Sequence, residues 1–190
     1  MSTELNKKTA NPGPLGLLGF GMTTVLLNLH NAGIMPELSI VIVAMGIALG
    51  GLAQIIAGIF ELRNGNTFAG TAFTAYGLFW WSLVLIWWNP FAASGVAAGT
   101  EMAMGFYLTL WGIFTAFMFV GTLKHNKATQ VVFGSLTVLF FLLATADFTG
   151  IHLIHTIAGI EGIFCGLSAI YNAMGQIVNA EYDKKIIPLG

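Results

Sequence analysis

Six stretches of the chain are almost unbroken runs of apolar residues. Each approaches the length of about 20 residues that a helix needs to cross the hydrocarbon of a bilayer. They run from Pro14 to His30, Leu38 to Leu62, Thr67 to Trp88, Thr100 to Leu123, Ala128 to Ala146 and His152 to Ile177. Turn-forming residues fall between them. Asn11-Pro12-Gly13-Pro14 precedes the first run, and Gly33, Pro36 and Glu37 separate the first from the second. Asn64-Gly65-Asn66 and Asn89-Pro90 mark further breaks, the latter followed by the small-residue stretch from Ala92 to Gly99. The pattern predicts an all-α membrane protein, a bundle of six transmembrane helices. Residues 1–13 form a cytoplasmic N-terminal segment, 14–178 the transmembrane domain and 179–190 a cytoplasmic tail. The first run has no small-residue cleavage pattern and is followed by five others, so it does not read as a secretory signal.

Composition supports the membrane assignment. Charged residues make up 8% of the chain and hydrophobic residues 56%, whereas a soluble domain carries about 25% charged residues. A net charge of −1 offers no basic footprint for nucleic acid. The seven basic residues set the orientation: Lys7, Lys8, Arg63, Lys124, Lys127, Lys184 and Lys185 all fall on one side of the six spans. That side is expected to be cytoplasmic, with both termini there. Trp87 and Trp88 suit the opposite interface. Gly46 with Gly50, and Gly162 with Gly166, are small-residue pairs that let helices approach closely in lipid.

Polar side chains inside these spans are costly in lipid and mark protein or water contacts. At about 100° per residue, Glu161, Cys165, Ser168 and Asn172 share one face of the sixth helix. Gln54 and Glu61 share a face of the second helix, and Thr23, Thr24 and Asn31 share one of the first with Phe20. Thr67, Thr71 and Thr74 form a stripe on the third, opposite Tyr76. Threonines in helices also bond their own backbone, Gln54 could hold helices together, and Glu61 reads as an interfacial partner of Arg63. Glu161, about two turns inside the sixth helix, must be protonated, paired or wet, which makes it, with His155, a possible proton-linked group. His152 and His155 could face one way, but no third ligand beyond Asp147 is at hand, so no metal is expected. His125 reads as a solvated loop residue, and His30 and Asn31 as a polar mouth.

No catalytic set assembles from these residues. Ser135 lacks the nucleophile-elbow context, Cys165 is the sole cysteine and has no histidine in register, and there is no phosphate-binding loop. The chain is expected not to be an enzyme and to use no cofactor. A channel, a secondary carrier or a structural membrane protein remains.

Asn11-Pro12-Gly13-Pro14-Leu15-Gly16-Leu17, followed by Gly19-Phe20-Gly21-Met22-Thr23-Thr24, resembles the signature of the acetate uptake transporter family, the YaaH-type succinate–acetate permeases. Gly13 stands where the usual motif has alanine. Asn28-Leu29-His30-Asn31, Gly50-Gly51-Leu52-Ala53-Gln54, Gly65-Asn66-Thr67-Phe68, Phe73-Thr74-Ala75-Tyr76-Gly77 and Gly121-Thr122-Leu123-Lys124 extend the likeness to the whole chain from about Asn11 to Pro188. The resemblance implies a fold like that of urea channels and a homo-oligomer, a hexameric ring with one path per protomer in the cytoplasmic membrane. It also implies transport of acetate, and in some members succinate, by channel or proton symport. Phe20, Tyr76 and Leu136 match the family's constriction, where Tyr76 could offer one hydroxyl. Thr23, Thr24, Asn31, Gln54, Asn66, Thr67, Thr71 and Thr74 are candidate path contacts. A channel for a small neutral solute, such as urea or a short amide, is the alternative.

Overall fold

The computed structural model describes residues 10–35 and 37–190; Lys7, Lys8 and Pro36 lie outside them. Among the described residues the long elements are six helices: α1 Gly13–Asn31, α2 Ile40–Arg63, α3 Thr67–Trp88, α4 Glu101–Thr122, α5 Lys127–Thr149 and α6 His152–Glu181. Helices α2 to α6 are long and apolar enough to span a membrane. With 19 residues, α1 extends roughly 28 Å at 1.5 Å per residue, close to the hydrocarbon thickness.

The boundaries follow local chemistry. Asn66 caps α3 by accepting from the Ala69 amide, and Asn126 caps α5 by accepting from the Thr129 amide. Gly150, at φ 65°, ends α5 in the left-handed region that glycine adopts at no steric cost. That stop lies beyond Ala146, so α5 is longer than its apolar run suggests. Helix α6 also outlasts its apolar run, because its last turn is a docking site. The Asn179 side chain accepts from the Ile186 and Ile187 amides and donates to the Ile187 carbonyl. The tail therefore folds back, and Tyr171 donates to the Pro188 carbonyl.

Helix packing divides into tight and loose seams. A Cβ on Gly21 would stand 2.7 Å from the Gly166 carbonyl oxygen, and one on Gly166 would stand 2.7 Å from that of Gly21. Only glycine permits this α1–α6 crossing. Helices α2 and α3 meet the same way, with Gly77 against the Gly51 carbonyl at 2.7 Å from a would-be Cβ. Gly46–Ala53, within α2, winds as a π-helix. Such a segment loosens the backbone ladder and recurs at functional sites. Going round the bundle, neighbours run α3, α2, α1, α6, α5, α4, and the backbones of α4 and α3 scarcely meet where the ring closes. Aromatic rings fill that seam: Phe79 packs on Trp111 at 5.1 Å and stacks on Tyr107 at 5.7 Å, and Tyr76 meets Phe114 edge-on at 5.5 Å. Large side chains therefore hold α4 off α3, and the interior of the ring stays open at both ends. The outward stripe Phe106, Leu110, Ile113 and Phe117 of α4 is exposed and apolar, as lipid or another copy of the chain requires.

Candidate functional site: two vestibules and a constriction

Four cavities follow one another between the helices. At the end where α1 finishes, a vestibule of about 610 Å³ is walled by His30, Asn31, Glu101, Asp147, His152 and His155. It continues into a chamber of about 230 Å³ with apolar walls that include Leu27, Phe79, Leu83 and Trp87. His30 Nδ1 lies 2.9 Å from the Met35 carbonyl oxygen and His155 Nδ1 3.3 Å from that of Asn31. A carbonyl can only accept, so each Nδ1 bears the proton and each Nε2 is left facing other partners. Asn31 donates to the Asn28 side chain, which donates in turn to the Thr24 carbonyl.

At the opposite end a vestibule of about 240 Å³ is lined by Asn11, Glu61, Asn66, His125, Asn126 and Gln176, among others. Helices α1, α3 and α5 all begin here, and an asparagine stands before each. Asn11 accepts from the Gly13 amide, as Asn66 and Asn126 do from the amides of their own first turns. The positive ends of three helix dipoles thus converge on one mouth. A polar chain ties the mouth together: Asn11 donates to Gln176, Gln176 to Asn172, and Asn172 to Thr129. Glu61 was expected to pair with Arg63 at the interface. Instead it is buried, turned into this vestibule, and accepts from Asn66 at 2.9 Å. The helix turn that carries Glu61 packs inward, so the carboxylate finds an amide rather than the exposed guanidinium. His125 is an exposed residue of the loop between α4 and α5, as expected, with its ring 4.8 Å from that of Phe68.

Between the vestibules remains a cavity of about 20 Å³, bounded by Phe20, Gln54, Tyr76 and Leu136 with the neighbouring apolar side chains Leu17 and Phe133. That is room for one water at most. Phe20, Tyr76 and Leu136 are all buried, and the Phe20 and Tyr76 rings are 6.2 Å apart. Gln54 is fully buried, and its Nε2 donates to the Gly50 carbonyl one turn back at 2.7 Å, inside the π-helical stretch. It does not bridge helices.

The other sequence candidates scatter. Asn31 lies in the vestibule where α1 ends and Asn66 in the one where α1 begins. Thr23 points at α2, with its hydroxyl 3.4 Å from the Met45 carbonyl. Thr24 is buried with an unpartnered hydroxyl. Thr67 and Thr71 are exposed on the outside of α3, and Thr74 packs against Gly58 of α2. That stripe is turned from the cavities because Phe68, Ala72, Tyr76 and Phe79 take the inward face. Glu161 is half-buried one turn before Cys165, whose thiol faces the Val132 carbonyl of α5, and it stands outside the vestibule walls. His152 and His155 share the vestibule where α1 ends, and the described residues contain no group of three His, Cys, Asp or Glu side chains placed to hold a metal. Residues not foreseen at the site are Gln176, Asn126 and Thr115. For Asn126 the signal was present: an asparagine directly before an apolar helix is a cap that faces the helix mouth.

A multi-pass helical membrane protein with a polar vestibule at each end and an apolar constriction between them has the architecture of a solute pathway. Comparison with known proteins places it further. The family model for the GPR1/FUN34/yaaH family matches residues 1–188, and the chain belongs to that family. It is 52% identical to the succinate-acetate/proton symporter SatP of Escherichia coli over 97% of both chains. It is 38% identical to ammonia transport outward protein 2 of Saccharomyces cerevisiae, over 92% of this chain and 64% of that one. A solved structure of the bacterial acetate channel SatP superposes with a TM-score of 0.93 at 52% identity, covering 96% of this chain and all of that one.

Proposed function

We propose that the chain moves acetate, and by the same path succinate, across the cytoplasmic membrane, with no cofactor and no catalytic step. The observation that carries this is the pair of polar vestibules divided by a constriction, in a chain half identical to a succinate-acetate/proton symporter. Phe20, Tyr76 and Leu136 form the gate. Asn31, His30 and His155 receive the solute at one mouth, and Asn11, Asn66 and Asn126, with the helix N-termini beside them, receive it at the other. Arg63, Lys124, Lys127, Lys184 and Lys185 flank the Asn66 mouth, which by the positive-inside rule faces the cytoplasm, with both chain ends on that side. The apolar outward stripe of α4 suits a homo-oligomer, and a hexamer with one path per protomer is part of the proposal. His155 remains the proton-linked candidate on the path, while Glu161 would have to act from outside it.

The test is uptake of labelled acetate into proteoliposomes, with protein-free liposomes subtracted because acetic acid crosses bilayers unaided. Protein-dependent uptake competed by unlabelled acetate supports the proposal. Its absence, with urea or acetamide flux in its place, supports the second reading. That reading, a path for a small neutral solute, is favoured by the apolar constriction and by the relative named for ammonia transport.

A further inference from the structure

Past the end of α6 the chain reverses and lies back along that helix. Asp183, at φ 53°, makes the reversal in the left-handed region that aspartate tolerates. Beyond it Ile187 and Leu189 turn toward α6 and are half-buried, while Ile186 and Pro188 are exposed. Gly175 is the notch that receives them: a Cβ there would stand 2.5 Å from Leu189 Cδ2 and 3.1 Å from Ile187 Cγ2. One turn to either side of the notch, polar groups fasten the backbone. Asn179 accepts from the Ile186 and Ile187 amides at 2.7 and 2.8 Å, and Tyr171 donates to the Pro188 carbonyl at 2.6 Å. The segment then reaches α5, where the Leu189 carbonyl accepts from the Ala128 amide at 2.9 Å. That amide is one of the first-turn donors of α5, which have no partner within their own helix. The same turn is also tied to α6 by the bond from Asn172 to Thr129. One and two turns further along α5, Val132, Phe133 and Leu136 form a wall of the constriction. A cavity of about 270 Å³ remains between the segment, α5 and α6, so the segment rests in a groove that it does not fill.

We infer that residues 186–189 are a strap that governs the constriction from its side: docked, the strap holds the α5 wall closed, and released, it lets that wall retreat. Asn179 and Tyr171 are the positioning residues that dock it. The inference rests on the transport proposal above and names the part that moves. With the strap docked, the constriction has room for one water at most, so passage of a carboxylate requires a wall to give way. Helix α1 is fixed to α6, and α2 to α3, by glycine crossings in which a carbonyl meets the facing backbone. The start of α5 is held in part by a segment outside the bundle, and that hold can break without unpacking a helix. Each bond of the strap has a counterpart with water once released, so each contributes little net and docking is reversible. A segment ordered in one state and free in the other is a recurrent form of switch.

The experiment locks the strap and reads flux. Cys165 is the sole cysteine, so Cys165→Ala gives a background without thiols. In that background, Gly175→Cys with Leu189→Cys puts one thiol in the notch and the other on the side chain that fills it. A Cβ at position 175 stands 3.3 Å from Leu189 Cγ, an approach that suits a disulfide. The purified full chain is studied in liposomes, oxidised and reduced, with labelled acetate and labelled urea as probes and mass spectrometry to confirm the crosslink. The oxidised protein is expected to carry acetate at least about fivefold more slowly than the reduced one, the lower end of couplings between distant parts of a protein, and reductant should restore the rate. Asn179→Ala should speed flux above the wild type, whereas Asn179→Asp, which keeps an acceptor for both amides, should not. Equal flux in crosslinked and reduced protein overturns the inference and leaves acetate transport standing. A disulfide that fails to form in folded protein overturns the docked arrangement itself. An Asn179→Ala protein that is slower and melts earlier makes the segment a structural brace, which also overturns the inference. Where the double-cysteine protein does not fold, the two Asn179 variants decide. Wild-type urea flux without acetate flux overturns the transport proposal, and the strap is then judged by the effect of the crosslink on urea. Flux of neither probe overturns both.

Discussion

Shortening Leu136 should turn the constriction from dry to wet. Its side chain is 3% exposed and forms one wall of the cavity of about 20 Å³ beside Phe20 and Tyr76. Leu136→Ala leaves a void on the order of 100 Å³ when the surroundings relax only partly, at a cost of about 2–5 kcal/mol in stability. Joined to the existing space, that volume holds about four waters at ~30 Å³ each. An apolar void of this size would stay empty, but here Gln54 is among the residues around it, and its buried Oε1, which has no partner, can anchor the first water. A water file would then meet both vestibules. The barrier to a carboxylate is its desolvation, several kcal/mol per ion. Relieving about 3 kcal/mol of it speeds passage on the order of 100-fold. Stopped-flow light scattering on proteoliposomes reads water permeability, and labelled uptake reads acetate. Both should rise, and size selectivity should fall, while the detergent-solubilised variant melts at a lower temperature. A folded, assembled Leu136→Ala protein with unchanged water and acetate permeability would refute the assignment of the constriction.

Three further outcomes follow from particular contacts. Gly166→Val should separate α1 from α6, because its branched side chain meets the Gly21 carbonyl and the Val25 backbone rather than a side chain that can swing away; expression of monodisperse protein by fluorescence size-exclusion checks this, and normal yield and melting contradict it. Asn126→Ala removes the α5 cap at the inner mouth and should cost ~1 kcal/mol, with a measurably weaker half-saturation for cytoplasmic-side acetate. Glu61→Gln keeps the acceptor for Asn66 but removes a buried negative charge from a vestibule of converging helix N-termini, so acetate should bind that mouth more tightly with stability little changed; unchanged half-saturation in efflux from loaded vesicles counts against it.

The fold was largely legible because lipid makes the hydropathy record nearly literal. Each apolar run became a helix, and α3 runs between the two residues expected, Thr67 and Trp88. What blurred the other ends was not hydropathy. Gly150 and the docked tail decided where α5 and α6 stop, and those are cap geometry and tertiary contact. At the site, Phe20, Tyr76 and Leu136, which the family likeness singles out, border one cavity, and their role as a gate is the proposal made above. Angular arithmetic did less well. The threonine stripe of α3 is amphipathic in appearance, yet in a membrane protein the polar face need not be the inner one, because hydroxyls can be satisfied within their own helix. Glu61 was misjudged for a related reason: proximity to Arg63 in sequence says nothing of which side of the helix is buried. The donor state of Tyr76 could not be read at all, since it depends on Thr115 and Trp111 from another helix.

The topology supplies the last element of the mechanism. In a chain that crosses six times, odd-numbered helices begin at one face and even-numbered ones at the other, so each mouth receives three helix N-termini. At the mouth where α1, α3 and α5 begin, asparagines stand beside all three N-termini, and Glu61, bonded to Asn66, already sets one carboxylate of the protein among their positive dipole ends. At the outer mouth α4 and α6 begin with Glu101 and His152, which line the vestibule together with Asp147, His30 and His155. There a carboxylate of the protein already occupies the dipole end of α4. The two mouths therefore differ for an anion in degree, with Glu61 at one and Glu101 and Asp147 at the other. In the proposed transport, a solute larger than one water passes only when the side chains around the cavity of about 20 Å³ move apart.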